Sequence, residues 1–236
     1  MSPGRRRPEV IVALDYHDAA HAMQMVDCLR GACTFFKVGH ELFTATGPRI
    51  VERILASGSD VFLDLKFHDI PNTVRGGVRS AASLGARLVT VHGVGGRRMV
   101  EAAVEGAAEG GGNCGVLAVT LLTSLAAGDI AQSWGRGSVD VETEVLRLAA
   151  LAAGAGAHGV VCGGPEAPHV REQFGDRLAA LIPGIRLAGA ATHDQARVTT
   201  PEAAAAAGAR YLVIGRTVTA AEDPARAMAA INASLA

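Results

Sequence analysis

Aromatic residues and net charge are both scarce in this 236-residue sequence. Aromatic side chains make up 4% of the chain, and its formal net charge at pH 7 is −1. A charge this small creates no overall field that favours nucleic acid or a membrane surface, so we expect neither as a partner. No apolar run approaches the roughly 20 residues that are needed to span a bilayer.

The sequence also lacks the residue spacings of common disulfide and metal sites. Its four cysteines, Cys28, Cys33, Cys114 and Cys162, form no Cys-x-x-Cys pair and lie in apolar or turn-like settings. We therefore expect reduced thiols in a cytoplasmic protein. The eight histidines show no His-Glu-x-x-His spacing, so we expect no metal ion in the mechanism.

The beginning of the sequence is basic and has no apolar segment of the kind that directs secretion. We predict that residues 1–8 form a flexible tail and that residues 9–236 form one catalytic domain. No domain linker or sequence repeat is visible within the second range. A single domain of this length is typical of an alternating α/β barrel.

Eight short apolar runs have the length and composition of buried strands. Segments with helical spacing lie between most of them, for example residues 19–29, 41–56 and 74–84, and each of these is predicted to form a helix. Eight such alternations with short connections predict an α/β fold, a single-domain (β/α)8 TIM barrel. An open doubly wound sheet is the alternative, although no Gly-x-Gly-x-x-Gly turn follows the first run. The predicted strands cover residues 10–15, 35–39, 61–66, 88–92, 116–120, 159–162, 178–182 and 211–215.

Two connections, residues 121–138 and 183–200, are longer than a barrel requires. Both follow predicted strands, so both are expected over the C-terminal mouth of the barrel. Long loops at that mouth usually act as lids or binding loops. Trp134 in the first connection would either close over a ligand or pack beneath the loop.

The third predicted strand carries opposite charges on one face. Side chains alternate along a strand, so Phe62, Asp64 and Lys66 are expected to point the same way. Such charges are costly at the end of a buried strand unless they pair, and apolar residues would serve stability as well. The pair Asp64 and Lys66 therefore indicates chemistry. Asp69 follows the strand, and Pro71 suits the first turn of a helix.

Two further charged residues are expected at the same mouth. Asp15 ends the first run, and Lys37 lies in the second run. If the side with the smaller side chains is the barrel interior, these two converge with Asp64 and Lys66 from three adjacent strands. A lone charge at a strand end is usually a solvated surface residue, but four charges of alternating sign in one cleft are more often functional.

The segment D-L-K-F-H-D-I-P-N-T, residues 64–73, resembles the signature of the orotidine 5′-phosphate decarboxylase family. The resemblance extends from about residue 10 to residue 224. It implies cofactor-independent conversion of orotidine 5′-monophosphate (OMP) to UMP and CO2, the last step of de novo UMP biosynthesis. Lys66 would stabilise the carbanion at C6 of the pyrimidine and then protonate it. Asp64, Asp69 and Lys37 would complete the catalytic group.

The resemblance also implies how the nucleoside part of the substrate is bound. Asp15 would hydrogen-bond the ribose or the base, and Lys37 would hold a ribose hydroxyl group and pair with the aspartates. Thr123 would face the phosphoribosyl or base region, and Ser124 would read the amide edge of the pyrimidine. In the family, the residues equivalent to Asp69 and Thr73 enter the site of the partner subunit, which implies a homodimer.

The loops after the seventh and eighth strands are expected to bind phosphate, because barrel enzymes frequently hold a phosphate there. Arginine donates paired hydrogen bonds to a phosphate, and glycine admits close backbone approach. This sequence departs from the usual family pattern at Leu187, where proline is common, and in the alanine-rich stretch 188–193. With the resemblance, the expected phosphate-binding residues are Pro183, Arg186, Gln195, Gly215 and Arg216.

Three other functions are compatible with parts of the pattern. Sugar-phosphate decarboxylases and aldolase-like synthases share D-x-K-x-x-D but typically need a divalent metal. A Schiff-base aldolase would use Lys66 as its nucleophile, although flanking aspartates favour the ammonium form, which is not nucleophilic. A non-catalytic barrel that binds nucleotide phosphates would explain the arginines but not the lysine and aspartate network.

Overall fold

The computed structural model describes residues 7–186 and 199–235. Its eight parallel strands pair in chain order, and the last also pairs with the first, which closes a barrel. The predicted (β/α)8 barrel is therefore confirmed, and the alternative open sheet is wrong. The strands are β1 (Glu9–Ala13), β2 (Phe35–Val38), β3 (Asp60–Phe67), β4 (Leu88–His92), β5 (Gly115–Val119), β6 (Gly159–Val161), β7 (Ala179–Ile182) and β8 (Tyr211–Ile214).

Helices follow the strands and cover the outside of the barrel. Within the described residues, no helix has the length and apolar character that a membrane span requires. The helices are α1 (Ala19–Cys28), α2 (His40–Thr46), α3 (Arg49–Ala56), α4 (Pro71–Ser83), α5 (Arg97–Glu109), α6 (Ala127–Ser133), α7 (Val141–Gly154), α8 (Ala167–Phe174), α9 (Pro201–Ala206), α10 (Arg216–Thr219) and α11 (Pro224–Ser234).

Two helical regions differ from the sequence expectation. The segment 41–56 forms two helices because Gly47, with a φ of 65°, ends α2, and Pro48 then precedes α3. A left-handed glycine followed by proline is a common way to stop a helix. The connection 121–138, expected as a loop, contains the seven-residue helix α6.

The barrel has an inner and an outer apolar layer. Val12 and Phe36, for example, point outward and pack under the helices. The inward positions of the same strands form a separate core inside the barrel. Since side chains alternate along a strand, the next inward positions after this core lie at the C-terminal mouth. The inner core consists of Ile11, Ala13, Phe35, Phe62, Leu88, Leu117, Val119, Val161, Leu181, Tyr211 and Val213.

An ion-pair network closes the opposite, N-terminal end of the barrel. Glu9 pairs with Arg87 at 2.7 Å and with Arg210 at 2.8 Å. Arg87 also pairs with Asp60 at 2.7 Å, and its guanidinium lies 4.7 Å from the ring centroid of Phe35. These residues precede or begin strands, so the C-terminal mouth remains the open end.

Candidate active site

A cavity of about 320 Å³ lies at the C-terminal mouth, where the inner core ends. Apolar residues of that core form part of its lining, including Ala13, Phe62 and Val213. Leu122, at its edge, was not expected from the sequence. The predicted site residues that line the cavity are Asp15, Lys37, Asp64, Lys66, Thr123, Ser124, Pro183, Arg186, Gly215 and Arg216.

Four charged residues form a row of alternating sign along one side of this cavity. Lys37 Nζ lies 2.9 Å from Asp15 Oδ1 and 3.9 Å from Asp64 Oδ2. Lys66 Nζ lies 2.8 Å from Asp64 Oδ1. The side chains of Lys37 and Asp64 are only 12% and 13% exposed, and that of Lys66 is 26% exposed. The structure thus brings together the four residues that strand alternation placed at one mouth.

Asp64 is an ionised group in a largely buried setting. Burial alone would raise the pKa of its carboxyl group, but the ammonium groups of Lys66 and Lys37 and the hydrogen bonds from Lys66 and Thr90 lower that pKa below its usual value. Opposite charges and hydrogen bonds to the charged form both favour ionisation. A carboxylate is therefore held between two cations at neutral pH.

Strand β3 is irregular where it carries this pair. Leu63 pairs with Val89, and Phe67 pairs with Val91, so the three residues 64–66 lie opposite a single residue of β4. Lys66 has a φ of 46°, and no other described residue apart from glycine has a positive φ. A left-handed lysine costs on the order of 1 kcal/mol, and such strain persists where the surroundings fix it.

The small number of lysines in the sequence is a further signal of the site. The chain contains two lysines, Lys37 and Lys66, and both line the cavity. Apart from these two lysines and the histidines, every basic side chain of the sequence is an arginine. An ammonium group can release a proton during catalysis, whereas a guanidinium group is effectively always protonated. Lysine is thus used in this chain only inside the cavity.

The segments that follow β7 and β8 meet at one backbone carbonyl group. Ile185 O accepts hydrogen bonds from Arg186 Nη1 at 2.9 Å and from Thr217 Oγ1 at 3.3 Å. Arg186 is largely buried, whereas Arg216 is exposed at the cavity edge. The guanidinium-bearing residues Arg186 and Arg216 therefore line the same cavity from the segments after two adjacent strands.

Three of the predicted site residues are not part of this cavity as described. Asp69 and Thr73 are exposed and do not line it, and Asp69 Oδ1 accepts a hydrogen bond from Ile70 N at 2.6 Å. Gln195 lies outside the described residues, as do Leu187 and the alanine-rich stretch 188–193.

One group of three possible metal ligands occurs within the described part of the chain. Asp18 Oδ2 lies 3.2 Å from His17 Nε2 and 2.6 Å from His21 Nδ1. Backbone and side-chain hydrogen bonds from His21 lower the pKa of Asp18 to about 2. Both histidines are exposed, and none of the three residues lines the cavity. The contacts between the residues account for the cluster, and the expectation of a metal-free mechanism stays a prediction.

A closed parallel barrel with a charged, ligand-sized cavity at its C-terminal mouth defines a TIM-barrel enzyme. A family model described as "Orotidine 5'-phosphate decarboxylase / HUMPS family" matches residues 8–231. The chain belongs to this family.

Relatives and a solved structure are similar to this chain over nearly its whole length. A protein of Halorhodospira halophila named "Orotidine 5'-phosphate decarboxylase" is 51% identical over 229 residues, which are 97% of this chain and 96% of that protein. A protein of Alkalilimnicola ehrlichii with the same name is 48% identical, with 96% of each chain covered. A crystal structure of orotidine 5'-phosphate decarboxylase from Lactobacillus acidophilus has a TM-score of 0.85 and 36% identity, covering 98% of this chain and 99% of that one.

Proposed function

We propose that this protein is a carboxy-lyase that converts OMP to UMP and CO2 without a cofactor, the last step of de novo pyrimidine nucleotide synthesis. The observation that carries this proposal is the contact of 2.8 Å between Lys66 Nζ and Asp64 Oδ1 in a cavity that Arg216 also lines. Family membership over residues 8–231 supports the same substrate.

The chemistry requires a cation at one carbon of the pyrimidine. When the bond between C6 and the carboxylate breaks, CO2 leaves and the electron pair stays on C6. No adjacent carbonyl group delocalises that pair well, so a preorganised charge must stabilise it. The Lys66 ammonium provides this charge and then transfers a proton from Nζ to C6. Asp64 fixes the position of the ammonium and lies near the substrate carboxylate.

The remaining polar residues of the cavity are assigned to the rest of the nucleotide. Asp15 binds the ribose or the base, and Lys37 binds a ribose hydroxyl group. Thr123 faces the phosphoribosyl or base region, and Ser124 contacts the amide edge of the pyrimidine. A cavity of about 320 Å³ fits a ligand of this size, since small-molecule sites span roughly 300–1,000 Å³. The phosphate is bound by Pro183, Arg186, Gln195, Gly215 and Arg216.

A homodimer completes each site in this proposal. Asp69 and Thr73 of one subunit enter the cavity of the partner, where Asp69 flanks Lys66 on the side away from Asp64. Between them in sequence lies Ile70, whose 67% exposure is high for a large apolar residue and suits a subunit contact.

The proposed location is the cytoplasm, where thiols stay reduced. The free cysteines are compatible with this location.

A direct assay tests the proposed reaction. Purified protein is mixed with OMP, and the loss of the orotate chromophore is followed by absorbance, with and without EDTA. We expect turnover to UMP that EDTA does not change. Stable binding of UMP without turnover of OMP would instead support a non-catalytic barrel, and loss of activity with EDTA would support a metal-dependent relative.

A further inference from the structure

The irregular segment of β3 is held by one side chain of β4, that of Thr90. Its hydroxyl group accepts a hydrogen bond from Lys66 N at 2.9 Å and donates one to Asp64 Oδ1 at 2.8 Å. Thr90 is fully buried, with 0% exposure, and does not line the cavity. One hydroxyl group therefore connects the backbone of Lys66 to the carboxylate that Lys66 itself contacts.

Thr90 is the single residue of β4 that faces the three residues 64–66. Its hydroxyl group takes the place of a strand partner for the Lys66 N–H, which would otherwise be buried without one. Because threonine is branched at Cβ, its χ1 angle is restricted and the hydroxyl direction is well defined. This arrangement explains how a lysine is kept at a φ of 46°.

We propose that Thr90 is a positioning residue for the reaction, acting through both members of the Lys66 and Asp64 pair. The inference rests on the proposed function of Lys66, and Thr90 itself does not touch the substrate. Its hydrogen bond orients the Asp64 carboxylate, whose two oxygens lie 2.8 Å and 2.9 Å from Lys66 Nζ. Its acceptance of the Lys66 N–H fixes where that lysine leaves the strand.

The test removes the hydroxyl group and keeps the shape. Thr90→Val is nearly isosteric and deletes both hydrogen bonds. We expect kcat for OMP to fall about 10- to 100-fold, as for the loss of a hydrogen bond to a charged group, whereas KM changes little because Thr90 is not in the lining. Thr90→Ser restores the hydroxyl group, and we expect it to recover most of the lost kcat.

Thr120 provides a matched control, since it is also a buried threonine and directly follows β5 at the C-terminal mouth of the barrel. Its exposure is 2%, it does not line the cavity, and its Oγ1 donates to Val161 O at 2.8 Å. Thr120→Val makes the same chemical change without touching Lys66 or Asp64. We expect it to lower the melting temperature to a similar extent and to leave kcat unchanged.

Two outcomes would overturn the role of Thr90: a wild-type kcat in Thr90→Val, or an equal fall of kcat in Thr120→Val. If Thr90→Val does not fold, Thr90→Ala is measured in its place.

A crystal structure of the variant separates this inference from the proposed function. We expect the Lys66 φ or its contact with Asp64 to change in Thr90→Val and to be restored in Thr90→Ser. An unchanged Lys66 and Asp64 geometry in Thr90→Val would overturn the inference whatever the substrate. A wild-type enzyme that does not decarboxylate OMP would overturn the proposed function instead.

Discussion

Lys66 Nζ lies within hydrogen-bond distance of both carboxylate oxygens of Asp64, at 2.8 Å and 2.9 Å. Lys37 Nζ lies 3.9 Å from the same carboxylate. Asp64 is thus the anion between the only two lysines of the chain. Its removal leaves two largely buried ammonium groups near each other.

Asp64→Asn should therefore destabilise the fold as well as stop catalysis. Loss of one partner from a buried ion pair costs about 3–5 kcal/mol, because the remaining charge has lost its compensation. Asp60→Asn is the control on the same strand, since Asp60 is half exposed in its pair with Arg87. That substitution should cost less than about 1 kcal/mol in the free energy of unfolding, measured in urea. Equal effects at the two positions would contradict this account of the site.

The stabilising effect of Asp64 should depend on pH in one direction. Its pKa is lower in the folded protein than the usual 3.8 of the free side chain, so the unfolded chain binds its proton first on acidification. The difference in free energy of unfolding between wild type and Asp64→Asn should be constant from about pH 5 to pH 8 and shrink below about pH 4. A difference that already falls between pH 7 and pH 5 would show that the pKa of Asp64 is raised.

Most of the barrel could be predicted from the sequence because its strands are short apolar runs with clear ends. The run 88–92 coincides with β4, and the other seven predicted strands overlap the observed ones with end points that differ by two residues or less. Helix α6 was not predicted, since its seven residues include Gly128 and Ser133 and lack a strong apolar pattern. Break points within helices depend on local glycine and proline geometry, as at Gly47.

The parts of the site that follow from side-chain alternation along one strand could be predicted from the sequence. The parts that depend on contacts between strands could not. Alternation placed Asp64 and Lys66 on one face, and both line the cavity. It did not predict that Lys66 reaches this position through a left-handed backbone. That feature depends on the hydroxyl group of Thr90 from another strand. A contact between residues 24 positions apart leaves no mark in a local pattern.

Arg216→Ala should weaken binding of the phosphate without affecting the chemical step. We expect the KM for OMP to rise about 10- to 100-fold, because charge-assisted hydrogen bonds to a phosphate are among the stronger ones. The slow reaction of orotidine, which has no phosphate, should be unchanged. Arg49→Ala on the outer helix α3 is the control. Equal losses on OMP and orotidine would argue against a phosphate role for Arg216.

Shared sites can be tested by mixing two inactive variants. Lys66→Ala and Asp69→Ala should each be inactive, but their heterodimer would contain one site with both groups intact. Random assembly makes half of the dimers mixed, so co-expression should restore about a quarter of wild-type activity for a symmetric dimer. Lys66→Ala with Asp64→Ala is the control, because both groups belong to one subunit's site. Recovery in the control, or none in the test pair, would contradict the proposed dimer.

The central claim is that the Lys66 ammonium both stabilises C6 and gives it a proton. The most direct measurement is the steady-state rate of OMP decarboxylation by wild type, Lys66→Ala and Lys66→Arg, with folding checked by circular dichroism. The account predicts that both variants fall more than about 1,000-fold in kcat/KM, since alanine lacks the charge and arginine does not release its proton. Near-wild-type UMP production by Lys66→Ala would contradict it.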